Sequence, residues 1–250
     1  ESPMSSEAYL QMANLYFQQG NYAEALEWYN AIDELGVSTE EKARFNFQKG
    51  YCLFHTGKQA ESKPYFESVQ NNPLYADNAK YYLGYIAYDS DDYAKAESYF
   101  REVQDDATLS KNVSYFQANM YFKQALYDEA IEEGQKQLAK TKSAQEISEL
   151  NKIIGESYFN QKKYKEAIPY LQKYKGKKGK FSNTDYYYLG YAFYKNNDYK
   201  AAIEQFNKIV GGNDNVAQNA YYHLAECYLK TDQKQQALNA FRNASQMDFD

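Results

Sequence analysis

The sequence predicts an all-α chain of helical hairpins stacked one on the next, and three observations lead there. Small residues and rings recur at helical spacing: Leu83, Gly84 and Ala87 share one helix face, and after a polar turn Tyr93, Ala96, Phe100 and Val103 share a face of a second helix. The same pattern begins again near Ser6, Ala43, Asp77, Lys111, Ser148, Asn183 and Gln218, in steps of 37, 34, 34, 37, 35 and 35 residues. Finally, 12 Gly and four Pro in 250 residues are too little turn punctuation for a β architecture. A lone hairpin cannot bury both of its faces, so the units must stack.

A period near 34 residues, with Leu83-Gly84 in the first helix and Tyr93, Ala96 and Phe100 in the second, resembles the tetratricopeptide repeat. The resemblance implies a right-handed α-α superhelix, a solenoid of about seven helical hairpins, whose first helices line a concave side. It divides residues 1–250, as one array, into repeats at about 6–39, 43–76, 77–110, 111–144, 148–181, 183–216 and 218–250.

Taken in order, the first repeat carries Met12, Ala13 and Tyr16, then Tyr22, Ala25, Tyr29 and Ile32. The second is degenerate, with Gly50, Leu53, Phe66 and Val69 in place but Gln59 and Ser62 where Tyr and Ala are usual. In the fourth, Ala118, Tyr121, Tyr127 and Ala130 are followed by Gly134 where a ring is expected, which predicts either a neighbouring side chain filling the space or local looseness. The fifth to seventh follow the pattern through Gly155 and Leu171, Gly190 and Phe206, and Ala225 and Phe241. Pro64 and Pro169 occupy equivalent places in two second helices, which suits a first turn, where a missing N–H costs little. Cys52 and Cys227 lie five repeats apart and read as buried thiols. The basic stretch around YKGKKGKFSN, between repeats five and six, is either a solvated loop or a landing site for an acidic partner. The last helix presents Ala237, Leu238, Phe241, Ala244 and Met247 with no polar helix after it, so we expect an excerpt of a longer chain, or self-association through an uncapped C-terminal helix.

Composition narrows the function classes. A formal net charge of -6 gives no general grip on a polyanion, so nucleic acid is not expected as a partner. No apolar run reaches the roughly 18 to 20 residues that span a bilayer. The chain opens on Glu1, which points to a processed or excised N-terminus, and the compartment stays open. There is no phosphate-cradling glycine loop, HExxH, CxxC or GxSxG, and the acids Asp89, Asp91 and Asp92 lack the spacing of a calcium loop. His55 and His223, the two histidines, fall in different repeats and read as packing or surface residues. We therefore expect no enzyme activity, no cofactor and no metal.

What remains is a surface. First-helix positions that avoid the hairpin's own core form an aromatic stripe: Phe47, Tyr51 and Phe54; Tyr81, Tyr85 and Tyr88; Tyr187, Tyr191 and Tyr194. Phe17, Tyr115, Phe122, Phe159 and Tyr222 continue it, and Asn14, Asn78, Asn112, Asn119 and Asn219 sit on the same face, where amides suit a peptide backbone. Two compatible readings follow. The rings pack against the adjoining repeat, or they line a groove for a protein or peptide, a task that suits tyrosine because it offers a large apolar area and keeps a hydroxyl.

A clamp for chaperone C-terminal carboxylates is not expected, because the pairs Leu10/Asn14, Tyr115/Asn119 and Lys152/Glu156 never combine the Lys and Asn it requires. The texture of ADNAKYYLGYIAYDSDDYAKAESYF is similar to that of bacterial envelope proteins of the outer-membrane assembly lipoprotein and cell-division coordinator type, although no lipid-bearing Cys is present at the N-terminus. The expectation is a non-enzymatic interaction scaffold, and that resemblance implies a place in a bacterial cell-envelope assembly. The alternative is the sensor module of a larger enzyme or DNA-binding regulator.

Overall fold

The computed structural model describes residues 3–106, 108–209 and 212–249, with the side chains of 3–5, Lys111 and Asn112 outside that description. The chain forms two compact units, residues 1–113 and 114–250. Among the described residues there are fourteen α-helices, one 3-10 turn at Glu34–Gly36, and an isolated antiparallel bridge between Lys177 and Lys180. The all-α architecture of paired helices read from the sequence is the one observed.

Unit one holds α1 (Pro3–Gln18), α2 (Tyr22–Asn30), α3 (Thr39–His55), α4 (Gln59–Val69), α5 (Ala76–Asp89) and α6 (Tyr93–Glu102). Helix α7 (Ser110–Lys123) runs across the boundary. Unit two continues with α8 (Tyr127–Leu138), α9 (Ala144–Asn160), α10 (Tyr164–Leu171), α11 (Asn183–Lys195), α12 (Tyr199–Phe206), α13 (Asn215–Lys230) and α14 (Lys234–Ser245). Each second helix folds back on the first helix of its hairpin, and successive hairpins within a unit stack.

Close approach of the two helices sets the residue types. A Cβ on Gly84 would stand 2.6 Å from the Phe100 ring, and one on Gly190 would stand 2.8 Å from Phe206. Both rings are buried, so there is nowhere for them to go. The gap expected at Gly134 is closed by a neighbour: a Cβ there would lie 2.8 Å from Cγ1 of Ile154, in α9 of the next hairpin. In the degenerate second repeat, the buried Ser62 donates its hydroxyl to the Gln59 carbonyl at 2.6 Å, so its polar atom is satisfied. Cys52 and Cys227 are both free and buried, and burial pushes each thiol up to about 12, which keeps it protonated.

All seven intra-hairpin turns use one device. Gly20, Gly57, Asp91, Ala125, Lys162, Asn197 and Asp232 sit in the left-handed region, with φ between 59° and 82°. The next amide then closes a bond to the carbonyl five residues back, as in Asn21 N to Tyr16 O at 3.0 Å and Leu126 N to Tyr121 O at 2.9 Å. This is the Schellman stop, and only two of the seven positions carry the glycine that favours it.

The prolines correct the sequence reading. Pro64 is the sixth residue of α4 and Pro169 the sixth of α10, so each is a turn deeper than expected and each removes one intrahelical bond. Both are exposed, which lets water reach the backbone that is left over.

Exchanging the same two residue types in opposite senses tests these constraints. Gly84→Ala gains helix propensity but must displace Phe100, and we expect a net loss of about 1–2 kcal/mol in urea unfolding. Ala125→Gly relieves a left-handed alanine, and we expect a gain of about 0.5–1 kcal/mol.

Candidate functional site

In unit one the stripe residues interlock. Tyr51 stands 5.4 Å from Phe17, 5.1 Å from Tyr22, 4.1 Å from His55 and 5.5 Å from Tyr82, measured between ring centroids. Phe47 stacks on Tyr75 at 4.9 Å, and Phe54 reaches Tyr82 at 4.8 Å and Tyr85 at 5.2 Å. Tyr81 rests against Tyr82 and Phe100, and Tyr85 leads through Tyr88 to Tyr93. Tyr82, one residue off the expected stripe, is the centre of this network: it stacks on Phe66 at 4.9 Å, and burial raises its hydroxyl far above the usual tyrosine range.

A second network in unit two surrounds His223. The imidazole lies 4.9 Å from Tyr191, 5.0 Å from Tyr194 and 6.2 Å from Tyr187, and its Nδ1 is 3.0 Å from Glu226. Burial lowers the pKa of His223, against the opposing pull of Glu226. Phe159 stacks on Tyr188 at 4.6 Å, whereas Tyr222 is 47 % exposed. The asparagines diverge. Asn14 is buried and accepts the Tyr29 hydroxyl at 3.0 Å, Asn219 donates to the Asn215 carbonyl at 2.8 Å, and Asn78 is exposed. The Asn112 side chain lies outside the described residues.

Two further openings lie elsewhere in unit two. A groove of about 480 Å³ is lined by Tyr115, Asn119 and Phe122 of α7, by Glu149, Lys152 and Glu156 of α9, and by Lys177 and Lys178. Those last two lysines belong to a built hairpin. Lys178 and Gly179 have φ of 52° and 77°, the sign pattern of a type I′ turn, and Lys180 N donates to Lys177 O at 3.1 Å. Gly176 has φ of 79°, and a Cβ there would meet the Lys180 backbone at 2.5 Å. The base is anchored: Lys175 N donates to Ser148 Oγ at 2.9 Å, Tyr174 is buried, and Phe181 stacks on Tyr186 at 5.4 Å.

A second cavity, of about 310 Å³, shares Lys152, Glu156 and Tyr174 with the groove. Lys152 is 3.1 Å from Asp185 and 3.7 Å from Glu156, with its ammonium 4.8 Å over the Tyr174 ring. Burial by itself would lower the Lys152 pKa, but Glu156 and Asp185 reverse that and raise it. Glu156 is 9 % exposed, and burial, opposed by Lys152 but reinforced by Asp185 and Glu149, pushes its carboxyl up to about 7. In the sequence this acid figures only in the Lys152/Glu156 pair that fails the carboxylate-clamp pattern, not among the candidate site residues. The signal is there, because Lys152 and Glu156 are charges at stripe positions that hold rings in repeats two, three and six.

Among the described residues no cluster of His, Cys, Asp and Glu could hold a metal ion, and no helix is long and apolar enough to cross a membrane. Fold and site thus define a class: a helical-hairpin repeat protein whose open chemistry is a groove lined by rings, an amide and opposed charges. Family profiles agree. Tetratricopeptide repeat profiles match residues 6–35 and 81–145, and the profile described as anaphase-promoting complex, cyclosome, subunit 3 matches residues 160–244. The chain belongs to the tetratricopeptide repeat proteins.

Solved structures share the fold. The C-terminal part of a repeat protein from Cytophaga hutchinsonii aligns with a TM-score of 0.68 at 20% identity, covering 96% of this chain and 95% of that one. A point mutant of MamA aligns at 0.60 and 20% identity over 71% of this chain and 100% of its own. YrrB, a tetratricopeptide repeat protein with an unusual peptide-binding site, aligns at 0.59 and 16% identity over 72% of this chain and 90% of its own. No curated protein matches.

Glu156 makes the site's electrostatics measurable. Its folded-state value of about 7 lies above the 4.5 of a free carboxyl, so ionising it in the folded protein costs stability. That cost is absent well below pH 4.5, grows as pH rises toward 7 and is complete above it, at about 3 kcal/mol. We expect Glu156→Gln to match wild type in urea unfolding at pH 4 and to exceed it by about 2–3 kcal/mol at pH 8. Equal stability at pH 8 would show that the carboxylate is fully compensated.

Proposed function

We propose that the chain is a non-enzymatic interaction scaffold that holds an extended peptide or protein segment in the groove of unit two. The observation that carries this is the groove itself. Tyr115, Asn119 and Phe122 line open volume, whereas the stripe rings of repeats two, three and six spend much of their surface on one another. Tyr115 and Phe122 offer apolar area, Asn119 offers an amide that can pair with a passing backbone, and the Lys177–Lys180 hairpin forms a wall. The peptide-binding site of YrrB, a neighbour in fold, supports the same reading. Work within a bacterial envelope assembly is the finer form of the proposal, supported by repeat texture.

Dodecapeptides selected from a phage-displayed random library on the immobilised chain, and then titrated calorimetrically, test this reading. Tyr115→Ser combined with Phe122→Ser should weaken a selected peptide at least tenfold while circular dichroism stays near wild type. Unchanged affinity would place binding outside the groove.

A further inference from the structure

Binding in the groove gives work to its rings and amide but leaves Glu156 unexplained. Buried carboxylates normally receive hydrogen bonds or a dedicated counter-ion. Glu156 has neither in full. Its 3.7 Å separation from Lys152 is beyond hydrogen-bond reach, and that ammonium sits closer, at 3.1 Å, to Asp185. One lysine therefore serves two acids, and the cluster keeps a negative charge in excess. The residue is 9 % exposed and its side chain 12 %, yet it lines both cavities, so a further donor can arrive from the groove.

We propose that Glu156 receives the cationic side chain of a lysine or arginine carried by the protein segment that lies in the groove. This rests on the groove reading above. An ammonium or guanidinium would restore neutrality through charge-assisted hydrogen bonds, while its methylene stem lies along Tyr115 and Phe122. The charges acting most strongly on Glu156 are Lys152, Asp185 and Glu149, so two of the three are negative. Lys177 and Lys178 stand on the hairpin wall, where they favour an acidic residue elsewhere in the same segment and disfavour a uniformly basic one.

The same phage library, panned at pH 8 on the intact wild-type chain and on Glu156→Gln, tests the assignment. Wild type should enrich peptides with Lys or Arg at one fixed place relative to their aromatic residues, and Glu156→Gln should select peptides without that preference. A peptide selected on wild type should bind Glu156→Gln at least tenfold more weakly. It should also lose about tenfold between pH 8 and pH 6 on wild type, as the carboxyl titrates near 7, and lose nothing on Glu156→Gln. None of the other titratable groups lining the two cavities, which are Lys152, Glu149, Asp185, Lys177, Lys178, Lys208, Tyr115, Tyr174, Tyr186 and Tyr188, has an ordinary pKa in that window. Groove-dependent peptides with no fixed basic residue, or with equal affinity for both chains, would overturn this inference and leave the groove reading standing. Failure of the wild type to select any peptide above background would overturn both.

Discussion

Hairpin closure in this fold rests on a side chain standing on a glycine of the facing helix, a ring over Gly50, Gly84 and Gly190 and Leu171 over Gly155. Phe100 over Gly84 and Phe206 over Gly190 bring two helices close enough that a single Cβ would not fit. That contact fixes the rotation of the first helix, and the rotation decides which of its residues face away from the hairpin's own core. The stripe is therefore a consequence of the closure. Side chains three residues before, one residue after and four residues after the glycine are delivered to the adjoining hairpin or to open space, whatever their chemistry.

Most of the stripe is delivered to the neighbour. Tyr51, Phe54 and Tyr82 in unit one, and Tyr187, Tyr191 and Tyr194 around His223 in unit two, join successive hairpins through edge and tilted ring contacts. Such pairs contribute roughly 0.5–1.5 kcal/mol beyond area burial. In a repeat array, where each unit touches only its neighbours, they are a direct source of coupling between hairpins. The high tyrosine content is thus largely structural, and its hydroxyls find partners such as Glu226 for Tyr194 at 3.0 Å.

The fold is legible in the sequence because its signal is repeated: Gly84, Ala96 and Phe100 recur at one spacing, so an error in one repeat is corrected by the others. The site is only partly legible, because its signal is the absence of the repeat. Tyr115, Asn119 and Phe122 lie on the expected stripe, but what distinguishes them from Tyr51 is the open volume they face, and only packing reveals that. The hairpin at Lys177–Lys180 reads as a loop because its order comes from Lys178 adopting a positive φ beside Gly179, and from the distant Ser148 hydroxyl. Tyr82 escapes the pattern for a similar reason. It sits one residue beside the stripe, and its importance follows from Phe66, in the preceding hairpin.

Glu156 shows how the two demands meet. The position it fills holds Tyr51, Tyr85 and Tyr191 in repeats two, three and six, where a ring seals one hairpin to the next. A carboxylate there forfeits that seal and, above neutral pH, adds the cost of a charge that Lys152 must share with Asp185. A sequence optimised only for stacking would not place it. The same departure opens the volume beside Tyr115 and Phe122, and it leaves an acceptor facing that volume. A choice that costs stability in the stripe and a chemically specific feature of the groove are thus one residue, which is the pattern expected if the groove serves recognition as proposed.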